Sequence, residues 1–173
     1  MTVREAVARR RVVRQFEARP LEDADIRAIV DAGRRSGSSK NLQRWTFVIV
    51  RERERLAALA SVGPFAGHIA GAALAIALVT PDPRSDGSPL SIMWDLGGAA
   101  SQMMLVAWEL KIGSCPATVY DQALVHRLLG LPEDRWCEYV ISFGYPADPS
   151  VFERPNRPGG RRPRTDVVRE ERW

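Results

Sequence analysis

Clustered arginines near the start of the chain are the residues best suited to bind an anion. Arg9, Arg10, Arg11 and Arg14 fall within one short segment. A guanidinium offers five N–H donors in a planar fork, which matches the oxygens of a phosphate two at a time. A polar stretch at 36–43 follows and adds small donors and close backbone approach. Together they predict a site for a phosphorylated small molecule. The alternative is a solvated basic helix end, which is common for runs of charge.

Composition predicts one globular domain with a real core. The chain has 173 residues, of which 45% are hydrophobic and 27% charged. The apolar run at 69–79 is too short to span a bilayer, and no apolar leader segment is visible, so we expect no membrane partner. The two cysteines, Cys115 and Cys137, show no CxxC spacing, which favours a reducing cytoplasm.

The basic net charge permits nucleic-acid binding but does not argue for it. The net charge is +4, and much of the excess lies near the two ends of the chain. No zinc-finger spacing, RNP-like aromatic motif or basic zipper is present, so we expect no nucleic-acid partner. His68 and His126 lie far apart and form no metal-ligand pattern, so we expect no metal.

The helices that must position the arginines have clear start signals. Thr2 followed by Glu5 is a capping box, and the helix it opens delivers Arg10, Arg11 and Arg14 at or just past its end. Further helices are predicted from residue 20 to a stop at 36–39, and over 52–60, 91–110 and 121–129.

Two β-rich segments, 45–50 and 136–143, predict strands. The apolar run at 72–79 fits a buried strand or a helix. Residues 147–173 are rich in Pro and Arg and cannot build a core of their own, so they are either disordered or lie across another surface.

Four ordered segments carry a family resemblance over nearly the whole chain. They are 10–16, 38–47, 95–115 and 128–146. In this order and spacing they closely resemble the nitroreductase family of flavoproteins, and four pieces in order are more specific than any one motif.

The resemblance implies an α+β fold with a small central, mainly antiparallel sheet flanked by helices. It also implies an intertwined homodimer with FMN at the interface. The chain would then be a single FMN-binding domain, 1–173, in which 147–173 is a tail that crosses to the partner.

The resemblance also implies the residues that meet FMN. Arg10 and Arg11 match the basic pair at the phosphate and ribityl chain, and Arg14 matches the cation at the pyrimidine edge. Val12 stands where a Ser is usual.

Three further segments complete the implied site. Ser38, Asn41 and Gln43 match a segment around the ring system, partly from the partner chain. For Gln43 the alternative is a loop that satisfies its own backbone. Pro116, Thr118 and Val119 match a loop whose backbone N–H groups face N5 and O4. Arg161, with Arg162, matches a C-terminal basic position at the phosphate.

The implied activity is an FMN-dependent NAD(P)H oxidoreductase. Hydride would pass from NADH or NADPH to flavin N5, and the electrons would then pass to a nitroaromatic, a quinone or a similar acceptor in a ping-pong cycle. The chemistry belongs to the cofactor, so no catalytic side chain is expected. One alternative is a flavin-binding protein without turnover. A weaker one is a basic nucleic-acid-binding module, whose affinity would fall steeply with salt.

Overall fold

The structure, a computed structural model, describes residues 1–155 and 159–173. It has the α+β architecture that the resemblance implies. The helices in chain order are α1 (Val3–Arg9), α2 (Asp23–Arg34), α3 (Arg53–Leu59), α4 (Ser91–Glu109), α5 (Gln122–Leu129) and α6 (Arg164–Val167). The strands are β1 (Thr46–Val50), β2 (Leu74–Pro81), β3 (Gly113–Thr118) and β4 (Arg135–Gly144).

The four strands form one sheet in the order β1-β2-β4-β3, with every neighbouring pair antiparallel. β2 is almost completely buried because helices cover both faces of the sheet at its centre. Burial on both faces removes the polar alternation of a half-exposed strand, which is why its sequence fits a strand or a helix equally well.

Two hydrophobic clusters divide the core between the faces of the sheet. α3 and α5 cover one face, where they pack on Ala75, Ala77 and Val140. α2 and α4 cover the other face, which includes Ile76 and Ile141. α2 and α4 approach closely at Gly33, where a Cβ atom would lie 2.1 Å from Cε of Met103.

The segment after α1 lies along the free edge of β3. Val12 forms a parallel bridge with Ser114, and Phe16 forms an antiparallel bridge with Pro146. Gly113 allows the close approach, because a Cβ there would lie 2.6 Å from Cβ of Val13. The sheet edge therefore fixes the direction in which Arg10–Arg14 leave the first helix.

Most of the predicted elements are present, and the residues at 113–118 are the main exception. Pro116 and Thr118 were expected in a loop but lie in the edge strand β3. The Gly, Ser and Pro residues of this segment do not indicate a strand. Its backbone is extended because it pairs with β4 in the sheet.

The predicted crossing tail, 147–173, includes residues 156–158, which lie outside the described residues. Its described part from 159 onward is exposed, so the crossing stays a prediction. Among the helices in the described parts of the chain, none is long and apolar enough to span a membrane.

Candidate functional site

A cationic cavity lies where the two ends of the chain meet. Its volume is about 670 Å3, and four of the predicted site residues line it: Arg10, Arg11, Val12 and Arg161. Val7, Ala8, Gly159 and Gly160 complete the lining, so no acidic side chain lines it among the residues that the structure describes. The concentration of guanidinium groups makes the cavity suited to an anion.

The capping box at the start of α1 sets where that helix places its arginines. The Thr2 N–H donates to Oε2 of Glu5 at 2.7 Å, and the Glu5 N–H donates to Oγ1 of Thr2 at 3.3 Å. The helix ends at Arg9, and Arg10 is its C-cap residue. The predicted position of Arg10 just past the helix end is therefore confirmed.

Arg10 is held partly buried beside a second cation. Burial lowers the pKa of Arg10, and the charge of Arg161 lowers it further. The Arg10 Nη1 group donates to Sδ of Met104 at 3.7 Å, which offsets little of a guanidinium's lost hydration. An anion between the two arginines would remove the repulsion, so the electrostatics fit a phosphate group.

Arg11 binds the tail. Its Nη2 atom donates to the carbonyl oxygens of Arg154 and Pro155, both at 2.6 Å. Arg9 adds a third contact, from Nη2 to the carbonyl oxygen of Phe152 at 2.9 Å. Arg11 therefore anchors the tail in addition to lining the cavity.

Arg162 does not line the cavity in the described structure. Its Nη2 atom donates to the carbonyl oxygen of Asp166 at 3.1 Å, within the exposed tail. Its predicted contact with a phosphate stays untested.

Arg14 lies beside Cys115 and His68, outside the residues that line the cavity. Burial raises the pKa of the Cys115 thiol, and the neighbouring Arg14 charge opposes that rise. Burial lowers the pKa of His68, and Arg14 lowers it further. The Arg14 charge therefore acts on both Cys115 and His68.

His68 makes a hydrogen bond that the sequence did not reveal. Its Nδ1 atom lies 2.8 Å from Oγ of Ser142, and that hydroxyl donates to the carbonyl oxygen of Cys115 at 3.2 Å. The single hydroxyl proton can serve only one of these two partners, so the tautomer protonated at Nδ1 is the one that satisfies both contacts. Nε2 is buried and has no hydrogen-bond partner among the described residues. A single histidine carries no sequence pattern, and this role depends on two strands far away in sequence.

The loop that carries Ser38, Asn41 and Gln43 is internally bonded and strained. Asn41 and Gln43 have positive φ angles of 54° and 46°. Oγ of Ser38 accepts from the Gln43 N–H at 3.0 Å, and Nε2 of Gln43 donates to Oδ1 of Asn41 at 3.0 Å. The structure thus shows the alternative stated for Gln43, a loop whose polar groups hydrogen-bond to one another. The side chains of Asn41 and Gln43 are exposed.

Pro116 and Thr118 in β3 and Val119 just after it differ in the backbone hydrogen bonds they can offer. The Val119 N–H donates to the carbonyl oxygen of Glu138 at 2.9 Å, so this donor is already used, and Pro116 has no N–H. In an antiparallel ladder alternate residues point their N–H groups outward, and Thr118 is at such an outward position. Of these three residues, Thr118 is the one with an outward backbone N–H, and the contact of this segment with N5 and O4 stays a prediction.

Known proteins resemble this chain along most of its length. The sequence pattern of the Nitroreductase family matches residues 7–76 and 61–145. A protein of Archaeoglobus fulgidus described as an NADH dehydrogenase/NAD(P)H nitroreductase is 32% identical over 170 residues, which cover 95% of this chain and 94% of the relative.

Solved structures agree with the sequence comparison. A crystal structure described as an NADH dehydrogenase/NAD(P)H nitroreductase, from Parabacteroides distasonis, has a TM-score of 0.84 and 25% identity, and covers 98% of this chain and 97% of its own. The NADPH:FMN oxidoreductase of Vibrio harveyi complexed with NAD+ also has a TM-score of 0.84 and 25% identity, over 98% of this chain and 76% of its own. The chain therefore belongs to the nitroreductase family.

Proposed function

We propose that this chain is an FMN-dependent oxidoreductase that uses NADH or NADPH. The observation that carries the proposal is the meeting of Arg10 and Arg161 in one cavity without an acidic lining residue in the described structure. A cavity of about 670 Å3 with two mutually repelling guanidiniums fits the phosphate end of FMN. The relatives named as NAD(P)H nitroreductase and NADPH:FMN oxidoreductase support this cofactor and reductant.

Different residues would bind different parts of the cofactor. Arg10 and Arg161 would bind the phosphate through charge-assisted hydrogen bonds. Arg14 would supply a positive charge near the pyrimidine edge, where it stabilises negative charge on the reduced ring and raises its reduction potential. The outward N–H of Thr118 would be the backbone donor that the free edge of β3 offers to the ring.

When bound, FMN would supply hydride chemistry at N5 between the nicotinamide and a nitroaromatic, a quinone or a similar small acceptor in a ping-pong cycle. The protein would contribute orientation and electrostatics. Catalytic acid or base side chains are not required, so the charges at Arg10, Arg14 and Arg161 are the principal contribution of this chain.

A homodimer built on α4 belongs to the same proposal. Trp94 and Leu90 are 84% and 92% exposed, which is unusual for such large apolar side chains. Gly97 lies one turn further along, and a Cβ there would meet nothing within 4 Å. A second copy of the chain packed on this face would bury the exposed side chains, and the small residue would admit close approach. The predicted tail crossing would add to that interface.

The visible absorption spectrum of freshly purified protein tests the cofactor. We expect flavin bands, and release of FMN rather than another flavin on denaturation. Anaerobic addition of NADH or NADPH should then bleach the bands, and a quinone should restore them. A colourless protein that does not take up added FMN would contradict the proposal.

A flavin-binding protein without turnover is the second candidate. It is favoured by the use of the Val119 N–H within the sheet and by Pro116, which together leave few backbone donors at the ring edge. A yellow protein that neither nicotinamide bleaches would support this candidate over the enzyme.

The predicted cytoplasmic location stays a prediction. The two cysteines, Cys115 and Cys137, are free and buried, which agrees with a reducing compartment.

A further inference from the structure

The buried carboxylate of Asp95 connects α4 to the loop that carries Ser38, Asn41 and Gln43. Asp95 is 5% exposed, and its Oδ2 atom accepts the backbone N–H of Ser39 at 2.9 Å. Burial of a carboxylate is costly unless hydrogen bonds compensate it, so this contact is a specific feature of the fold. The bond joins α4 to a different element of the fold rather than bracing α4 itself.

A second contact confirms that the loop rests on the same face of α4. Gly98 lies three residues after Asp95, so the two share one face of the helix. A Cβ at Gly98 would lie 3.1 Å from Oγ of Ser36, which is itself buried. The chain from Ser36 to Ser39 therefore lies directly against this part of α4.

The loop needs an external restraint because its backbone is strained. Lys40, Asn41 and Gln43 all have positive φ angles, of 52°, 54° and 46°. Left-handed backbone is unfavourable for Lys and Gln, though less so for Asn, and for such residues it persists only where the surroundings hold it. The bonds of Gln43 to Ser38 and Asn41 restrain the loop internally. The bond from Ser39 to Asp95 fixes it to the core.

We propose that Asp95 is a positioning residue, whose carboxylate holds the loop 38–43 in the shape that presents Ser38, Asn41 and Gln43 to the flavin. The identification of the ligand as a flavin rests on the proposed function, whereas the restraint of the loop by Asp95 does not. Asp95 lies beside Trp94, which is on the exposed face of α4. The same helix would therefore carry both the dimer contact and the anchor of the flavin loop.

Limited trypsin digestion of the protein without flavin tests the restraint. Lys40 and Arg44 provide cleavage sites in and next to the loop, and Arg127 on α5 provides a distant reference site. Asp95→Ala removes the acceptor, whereas Asp95→Asn keeps an amide oxygen of the same shape. Glu109→Gln is the matched control, because it removes a charge from an exposed position on the same helix.

We expect Asp95→Ala to speed cleavage after Lys40 by about tenfold or more, with cleavage after Arg127 unchanged. Asp95→Asn should stay close to the wild type. The affinity for added FMN should fall about tenfold in Asp95→Ala and recover in Asp95→Asn. Unchanged cleavage in Asp95→Ala, or equal damage by both substitutions, overturns the proposal.

If Asp95→Ala does not fold, hydrogen exchange in the wild-type protein tests the restraint instead. The Ser39 amide should be protected from exchange, because it donates to a buried carboxylate. A Ser39 amide that exchanges at the rate of an unstructured peptide overturns the proposal. If digestion and exchange show the restraint but FMN does not bind to the wild type, the proposed function fails while the anchoring of the loop stands.

Discussion

Arg10 and Arg161 come from opposite ends of the chain and face one cavity, close enough that the charge of Arg161 lowers the pKa of Arg10. Two like charges held together in a partly buried place destabilise the protein unless an anion lies between them. An anion bound between them would remove that cost, which supports the proposed phosphate site. In the proposed site the tail therefore contributes Arg161.

Replacement of either arginine should weaken FMN binding. We expect Arg10→Gln and Arg161→Gln each to raise the dissociation constant of FMN by about 10- to 100-fold, because each removes a charge-assisted hydrogen bond worth roughly 1.5–3 kcal/mol. Flavin fluorescence titration measures the change. Arg164→Gln is the control, because Arg164 begins α6 and does not line the cavity. FMN affinity equal to the wild type in both variants would refute the phosphate assignment.

The same pair predicts a change in stability without the cofactor. Arg161→Gln removes the repulsion on Arg10, so the apo variant should unfold at the same temperature as the wild type or a higher one. Added inorganic phosphate should raise the melting temperature of the wild type more than that of Arg161→Gln. A phosphate effect of equal size in both proteins would show that the anion binds elsewhere.

Arg14 should control the protonation of His68. Burial is the larger cause of the lowered pKa of His68, and the Arg14 charge is the second. Arg14→Gln should therefore raise the pKa of His68 toward its ordinary value of 6.5 without fully reaching it. The imidazole proton signals report this in an NMR titration, and His126→Gln assigns them because the chain has two histidines. Arg27→Gln on α2 is the control, and an unmoved His68 pKa in Arg14→Gln would contradict the placement of Arg14.

The lowered pKa of His68 also predicts how the free energy of unfolding changes as the pH falls below neutral. Because its pKa is lower in the folded protein, the unfolded chain takes up the proton first as the pH falls. The free energy of unfolding should be fully retained above about pH 6.5 and should decrease as the pH falls from there toward the folded pKa. His68→Gln should flatten that part of the profile, measured by urea unfolding between pH 7.5 and pH 5. Equal slopes for both proteins would show that His68 does not contribute.

The sequence predicted those helices whose start signals and apolar patterns lie within the helix itself. The capping box of Thr2 and Glu5 and the apolar stripe of Ile26 and Ile29 are contained within single helices, and both helices are present. β3 was missed because its Gly, Ser and Pro residues indicate a loop when read locally. Pro116 is tolerated because it occupies an edge strand at a position where its missing N–H would point outward.

The arginine pattern indicated an anion site near the start of the chain, but not which contacts each arginine makes. Arg10 and Arg161, which the family resemblance assigns to the phosphate, line one cavity, and their contact with a phosphate stays a prediction. The partners of Arg11 are backbone carbonyls more than a hundred residues away, and no side-chain pattern marks a carbonyl group. The hydrogen bonding of His68 depends in the same way on Ser142 and Cys115, which only the fold brings near it.

Arg11 should matter more for the tail than for the cofactor. We expect Arg11→Gln to free the backbone at Arg154 and Pro155, and so to speed tryptic cleavage after Arg154. Its effect on FMN affinity should be smaller than that of Arg10→Gln, because the Arg11 Nη2 donor is already used by the tail. Arg4→Gln on α1 is the matched control. If Arg11→Gln and Arg10→Gln weaken FMN equally while the tail stays protected, Arg11 is a phosphate ligand and the anchoring role is wrong.

Gly97 offers a direct test of the proposed dimer on α4. In one isolated chain a Cβ at Gly97 would meet nothing within 4 Å and the residue is exposed, so we expect Gly97→Leu to fold and to favour the helix by roughly 0.8 kcal/mol. In a dimer packed on this face the same side chain would hold the two copies apart. We therefore expect a folded Gly97→Leu variant that dissociates at protein concentrations where the wild type is dimeric, as measured by light scattering after size-exclusion chromatography. Ala28→Leu adds a side chain of the same size to the exposed surface of α2 and should leave the dimer intact. If Gly97→Leu were as dimeric as the wild type, the interface would lie on another surface, because a leucine at position 97 would obstruct a contact made through this face of α4.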